Sequence, residues 1–484
     1  MKLYLKNHTE RYPVEQLQMQ LFPDSPSEFV TAPFTGDGAV SGLHDGKLWR
    51  TASAKITWQG KTGTAVRRVR LEDADVRRTR RILQQSYYLA AIQVLDVLPP
   101  WGALSGVRPS KLSTKAMLEG STKRQAQKLL EDTYFVTPQR AALCADASAE
   151  TVKAQSLLAP RDLSVYIGIP FCPSRCAYCS FVSESIERYA ELLPPYLDAL
   201  CREVEYTGQL LRSSGYQIRT LYMGGGTPTT LSAPQMERLL AVVRDSFDLS
   251  RCLEFTIEGG RPDTLDIEKL RVLRDGGATR ISINPQTMND DVLLRVGRRH
   301  TGAQTAEAFR QARQVGFDDI NMDLIAGLPG DTPASFADSL EKVLALEPSN
   351  VTVHTLALKK SADLFHNRSG LPGQEDVAQM LENAEARLRG EGYAPYYLYR
   401  QKYMSGSFEN VGWCRPGYAG LYNIYMMEEL HTILSLGGGG MNKINLPEGQ
   451  LERWHNPKYP QDYIERIDTI LRQKDEIFAL LRTL

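Results

Sequence analysis

The stretch "YIGIPFCPSRCAYCSF", residues 166–181, sets Cys172, Cys176 and Cys179 in a CxxxCxxC spacing. A closed tetrahedral metal site takes four ligands, and no fourth cysteine or histidine follows in this run. Thiolates suit iron-sulfur clusters. A four-iron cluster held wholly by protein takes four cysteines, so three leave one iron open. An open metal position is the mark of a site that binds a substrate or cofactor. The alternative reading of the loop is a zinc knuckle completed by a distant His or Cys.

Outward from this run the chain alternates. The strand-like "SVYIGIP" leads directly into the cysteines, and "TLYMGGG", "LEFTIEGG", "TRISINP", "DINMDLIAG" and "NVTVHTLAL" follow, separated by helix-period segments. Parallel neighbours need crossover connections, so this pattern predicts an α/β fold, a partial (β/α)6 TIM-like barrel over residues 161–370. Each strand ends in a loop with Gly, Pro or polar residues, where βα barrels place their chemistry. The cysteines therefore belong at the C-terminal rim of the strands.

Two flanking regions read differently. Residues 1–160 predict an N-terminal accessory α+β module. It has a helix near "YPVEQLQMQLF", a hairpin turning at "WQGKTG", a long helix starting at Asp73 or Asp75, and two further helical segments running to Leu158. The Arg-rich start of the long helix reads as a solvated face. Residues 371–484 predict a C-terminal accessory region with a helix through "EDVAQMLENAEARLRGEGY", an aromatic-rich "YAPYYLYRQKY" and a Gly-rich "LGGGGMNKI".

Composition narrows the function classes. The 484 residues carry 57 Lys and Arg against 57 Asp and Glu, so no chain-wide field draws nucleic acid or an anionic membrane. There is no apolar run long enough for a membrane span and no signal-peptide pattern at the start, which makes a cytoplasmic protein the expectation. Seven cysteines without disulfide spacing fit reduced thiols. Cys144, Cys201 and Cys252 read as buried small apolar residues, and Cys414, in "VGWCRPGYAG", stays open.

A CxxxCxxC loop after a first barrel strand, with a Gly-rich loop after the second, resembles the radical S-adenosylmethionine (SAM) superfamily. "IPFCPSRCAYCSF", "MGGGTPT", "SINPQTMNDDVLLRVGRRHT" and "NMDLIAGLPGDT" narrow the likeness to the oxygen-independent coproporphyrinogen III dehydrogenase group. "IEGGRPDTL" and "WGALSGVRPSKL" are most similar to its HemZ type. The resemblance implies a 4Fe-4S cluster on Cys172, Cys176 and Cys179, with its open iron chelated by SAM. It implies that Gly225, Gly226 and Thr227 hold the methionine amino group and that Glu258 meets the ribose. Gln286, Arg298 and Asp323 become further SAM contacts, and Tyr166 an aromatic beside the bound SAM.

The implied reaction is oxidative decarboxylation of two propionates of coproporphyrinogen III to vinyls, giving protoporphyrinogen IX in haem biosynthesis. It requires a 5′-deoxyadenosyl radical, an electron donor that the sequence does not identify, and no nucleic acid. A tetracarboxylate substrate calls for cations, and the strand-end candidates are Arg175, Arg261, Arg299, Lys359 and Lys360. His300 and His354 read as structural histidines. Two residues depart from the group's pattern: Phe181 stands where its founders have a further cysteine, and Gly168 where they have histidine. The departures leave two alternatives, a haem chaperone, for which Cys414 or His431 would be the axial ligand, and a porphyrin-modifying, haem-degrading radical enzyme.

Overall fold

Gln59 and Gly60 adopt φ of 49° and 79°, the left-handed pair of a tight hairpin turn, and they organise the first of two compact units, residues 1–145. In the computed structural model, residues 1–23, 25–96, 98–181, 183–401 and 408–484 are described. The first unit's strands are β1 (Lys2–Lys6), β2 (Glu28–Val30), β3 (Gly38–Asp45), β4 (Trp49–Trp58) and β5 (Lys61–Arg70), in the order β2-β1-β3-β4-β5. Strand alternation turns Leu3, Ala39, Ala52, Ala54 and Ile56 toward a core shared with helices Arg11–Leu21 and Val76–Ala91. Asp75 caps the second of these helices, accepting from the Arg78 amide at 2.6 Å. Three helices follow where two were expected: Ser110–Leu118, Lys123–Tyr134 and Pro138–Ser156.

The second unit, residues 146–484, is built on one sheet of eleven strands. All six predicted strands are present: β6 (Asp162–Ile169), then, beyond a two-residue pair β7 (Phe171–Cys172) and β8 (Glu184–Ser185), β9 (Gln217–Gly225), β10 (Glu254–Gly260), β11 (Arg280–Ile283), β12 (Asp319–Ala326) and β13 (Asn350–Thr355). They lie side by side in chain order and pair in parallel. Helices Leu193–Ser214, Ala233–Ser246, Ile267–Asp275, Gly302–Val315 and Pro333–Leu344 make the crossovers. Ser232, Asp266, Thr301 and Thr332 each cap one of them through the side chain. Near-continuous burial of β6, β11 and β13 is what a sheet covered on both faces demands.

The segment 371–484 extends both edges of this sheet. β14 (Ala394–Arg400) and β15 (Glu409–Cys414) add antiparallel strands beside β13. β16 (Thr432–Leu436) adds a seventh parallel strand beside β6, followed by β17 (Met441–Asn445) and β18 (Leu451–His455). Between the two sets lies the helix Leu421–Glu428, whose first amides are received by the buried Glu254 of β10, Leu421 N at 2.6 Å and Tyr422 N at 3.3 Å. Among the described residues, no helix is long and apolar enough to cross a membrane.

Candidate active site

Cys172 ends β7, and the backbone after it folds into a loop that carries the other two thiols. Two segments pin this loop. Ala177 donates its amide to Val296 O at 3.0 Å and Ser174 Oγ to Gly297 O at 3.3 Å, while Leu364 N reaches back to Ala177 O at 3.1 Å. The Arg175 guanidinium donates to Ser361 O at 2.5 Å. All three cysteines are part-exposed and open onto one cavity of about 360 Å³ at the C-terminal ends of the parallel strands. Burial pushes the Cys179 thiol up to about 11 and raises Cys172 as well. Among the described residues, no three His, Cys, Asp or Glu groups converge closely enough to hold a single metal ion. A four-iron cluster seats each thiolate on a separate iron.

The Gly-rich turn after β9 runs against the start of the cysteine loop. Gly226 N donates to Ile169 O at 2.8 Å and Thr227 N to Phe171 O at 2.6 Å; Thr227 Oγ1 lies 3.5 Å from Cys172 Sγ. A Cβ on Gly226 would stand 2.4 Å from Phe171 O, a distance that no side chain tolerates. Gly225 has φ of 112°. These glycines are thus required first by the chain's own backbone, which carries the cavity wall past the thiols.

Glu258, near the end of β10, accepts a short hydrogen bond from the Tyr222 hydroxyl. Burial raises its carboxyl to about 7. Asp323 of β12 behaves oppositely. Burial acts to raise it, but His354 at 3.6 Å, Asn321 at 2.7 Å and Thr352 together hold it below its ordinary value. Gln286 sits at φ of 68° and bridges to β12, giving its amide to Asp323 O at 2.8 Å and receiving Ile325 N at 2.9 Å. Its side-chain Oε1 is buried and unpartnered beside the cavity. Arg298 donates to Tyr178 Oη at 3.0 Å, Asn284 O at 2.6 Å and Gly260 O at 3.2 Å, while its Nε is buried without a partner. Unpartnered buried polar atoms along one wall fit a polar ligand that supplies the missing bonds.

Ten of the eleven site residues expected from sequence line this cavity, namely the three cysteines, Gly225, Gly226, Thr227, Glu258, Gln286, Arg298 and Asp323. Tyr166 lies behind it. Its ring stacks with Tyr222 and Tyr422 at 6.2 Å and 6.4 Å, and its hydroxyl would meet a Gly225 Cβ at 3.2 Å. Of the cation candidates, Arg175, Arg261 and Lys359 line the cavity, and Arg299 and Lys360 do not. Arg261 is already clamped, with Asp263 at 2.6 Å and 2.9 Å and Ser174 Oγ at 2.7 Å. His354 faces the cavity, whereas His300 is buried beside Asp263 at 3.7 Å, with burial drawing its imidazole down to about 3.

The chain as a whole places these observations. The radical SAM superfamily matches residues 166–343. The chain is 39% identical over 394 residues to the oxygen-independent coproporphyrinogen-III oxidase-like protein HemZ of Bacillus subtilis, covering 80% of this chain and 79% of that one. It belongs to the radical SAM superfamily, in its HemZ branch. Radical SAM proteins use a 4Fe-4S cluster and SAM. The haem chaperone HemW of Bacillus subtilis is 35% identical over 244 residues, 49% of this chain and 62% of that protein. Among solved structures, the radical SAM enzyme coproporphyrinogen III oxidase (HemN) of Escherichia coli aligns with a TM-score of 0.53 at 26% identity, over 66% of this chain and 72% of that one.

Several cavity residues escaped the sequence reading. Tyr222, Ser282, Asn284 and Asn321 line the same wall, each two residues from a neighbour with which strand alternation aligns it. That alternation was the available signal. Tyr397, Tyr399 and Asn410 come from the added strands, and Asn423 and Met427 from the inserted helix. The departure at Gly168 also has a physical reason. A Cβ there would stand 2.7 Å from Gly438 O in the "LGGGG" loop, and that loop is fixed by Glu203 on Gly437 N at 2.8 Å and by Tyr196 on Gly438 N at 2.7 Å. Phe181, in place of the extra cysteine, is 67% exposed at the cavity mouth.

Proposed function

We propose that this HemZ-branch protein carries out oxygen-independent oxidative decarboxylation of coproporphyrinogen III. The observation that carries the reading is the convergence of the three thiols with the polar wall of Gly225, Thr227, Glu258, Gln286, Arg298 and Asp323 on one cavity. Cys172, Cys176 and Cys179 would hold the cluster. Gly225–Thr227 would receive the methionine end of SAM, Glu258 and Asp323 its hydroxyls, and Gln286 and Arg298 its remaining polar atoms. Held by these residues, a reduced cluster and SAM would supply a 5′-deoxyadenosyl radical able to take a hydrogen atom from the β-carbon of a propionate, after which loss of CO2 and of one electron to an electron acceptor would leave the vinyl group.

The chain's own residues then set the substrate. Arg175 and Lys359 at the cavity mouth are the cations placed for propionate carboxylates, while Arg261 serves to fix the cysteine loop through Ser174. Tyr397 and Tyr399 would supply an aromatic wall on the side of the cavity formed by the added strands. The chaperone reading has less support, because its two suggested haem ligands lie elsewhere. Cys414 is buried in β15, and His431 is buried with Nε2 2.7 Å from Ser164 Oγ; neither lines the cavity. The test is an anaerobic incubation of cluster-reconstituted protein with SAM, dithionite and coproporphyrinogen III. The divinyl product should form and should vanish in the Cys172→Ala, Cys176→Ala and Cys179→Ala variants. Tight haem binding without any divinyl product would reject the proposal.

A further inference from the structure

We propose that the uncovered face of the five-stranded sheet in residues 1–145 recruits an acidic protein that donates single electrons. The inference rests on the function proposed above, which consumes one electron for each SAM cleaved. It starts from charge. Residues 1–145 hold 21 Lys and Arg against 13 Asp and Glu, a net +8, while residues 146–484 hold 36 against 44, a net −8. The neutral total conceals two oppositely charged halves. An acidic carrier is repelled by the second unit and attracted by the first.

Within the first unit the charge is placed by strand register. Helices cover one face of the sheet, and alternation turns Lys2, Lys6, Lys55, Arg68 and Arg70 to the other. A Cβ on Gly42 would stand 2.8 Å from Ser53 Oγ and 3.8 Å from Lys6 Cβ, which sets these three positions on a common side. The carboxylate that register brings to that face is Glu28, opposite Lys2. Among the described residues Lys6, Lys55 and Arg68 form no ion pair, whereas Arg70 meets Glu72 at 3.3 Å. Lys6, Lys55, Arg68 and Arg70 are all exposed.

The same face argues for a carboxylate-rich protein over a nucleic acid. Base stacking needs open aromatic rings. Here the Trp49 ring lies under Arg68 at 4.5 Å and Arg70 at 5.8 Å, the Phe34 ring packs over Gly38 with Lys2 above it at 5.9 Å, and Tyr4, between Lys2 and Lys6, is part-buried. Gly42, Ser53, Thr51 and Thr64 lie between the cations, with Tyr4, Val40 and Val66 as the larger residues, and a sheet face of this kind presents no helix to enter a duplex groove. A cationic sheet face suits an acidic one. Docking there raises the donor's effective concentration beside its own acceptor chain.

The test uses the full reconstituted chain and follows 5′-deoxyadenosine formation with two reductants, a reduced acidic flavodoxin as the protein probe and dithionite. In Lys55→Glu/Arg68→Glu the KM for flavodoxin should rise about tenfold or more, with kcat at saturating flavodoxin and the dithionite rate unchanged. The neutral Lys55→Gln/Arg68→Gln variant should give a smaller rise and guards against misfolding of the first. In about 0.5 M salt wild type and variants should converge, because screening removes the attraction. An unchanged KM overturns the proposal, as does wild-type turnover with dithionite but none with flavodoxin. So does a labelled single-stranded oligonucleotide that binds wild type and not the variant while the flavodoxin KM stays constant. Failure with both reductants rejects the functional reading, and this proposal with it.

Discussion

At the N-terminal ends of the parallel strands, charged groups meet partners within the chain; at the C-terminal ends, they face a cavity. Arg280 of β11 reaches both oxygens of Asp319 at 2.9 Å and 3.0 Å, Arg219 lies 3.2 Å from Asp162, and Glu254 receives a helix N-terminus. One strand-length away, Glu258 titrates near 7, Asp323 is pulled down, and Gln286 Oε1 waits for a donor. The residue types are alike. What differs is what they face: at the first end the charges oppose one another across neighbouring strands, although Arg280 Nη2, Arg219 Nε and Asp162 Oδ1 keep an unbonded atom, whereas at the second end they line an open cavity where a cofactor can be bound.

If that contrast holds, substitutions at the cavity end should remove chemistry and spare stability, and those at the other end should do the reverse. The largest effect belongs to Cys176→Ala, which should abolish cluster loading and all SAM cleavage while leaving the helical CD signal intact; equal loss of CD would erase the contrast. Gly226→Ala comes next, since a Cβ 2.4 Å from Phe171 O must displace the turn beside Cys172. Turnover should fall about 100-fold with the cluster still present by its visible absorbance. At the opposite end, Asp319→Asn leaves the buried Arg280 short of a charge. Urea unfolding should show a loss of about 2–3 kcal/mol, with turnover near wild type.

A subtler effect concerns pH. The Glu258 carboxyl titrates near 7 in the folded chain against 4.5 ordinarily, so the folded state holds a proton that the unfolded state releases between those values. Its contribution is full below about pH 4.5 and is lost as pH rises through 7, about 1–3 kcal/mol in total for the SAM-free protein. Glu258→Gln should flatten that slope in pH-dependent unfolding; an unchanged slope would place the proton elsewhere. The smallest expected change is Lys359→Ala, with a rise of about three- to tenfold in KM for the porphyrinogen and little change in kcat.

The order of motifs makes six strands and ten cavity residues legible in the sequence. Each strand announced itself by a β-branched run, and each site residue by its place at a strand end. For Tyr166 the sequence gives the strand but not the stacking with Tyr222 and Tyr422, which sets its hydroxyl against Gly225. The C-terminal strands stayed hidden for a different reason. β15 is buried at all six positions, so it has no alternation to detect, and its partner β13 lies more than fifty residues earlier in the chain. The helix Leu421–Glu428 is apolar on several sides because it packs on both β9 and β14, and its polar contact, Glu254, is remote in sequence. The open basic face was masked by a net charge of zero.

The account's central claim is that the cavity delivers a 5′-deoxyadenosyl radical to a propionate β-carbon, and isotope transfer tests it most directly. Coproporphyrinogen III deuterated at those carbons is incubated anaerobically with the reconstituted protein, SAM and dithionite, and the 5′-deoxyadenosine is examined by mass spectrometry. The account predicts 5′-deoxyadenosine carrying one deuterium, formed in step with vinyl product. Undeuterated 5′-deoxyadenosine, formed at the same rate with and without the porphyrinogen, would contradict it.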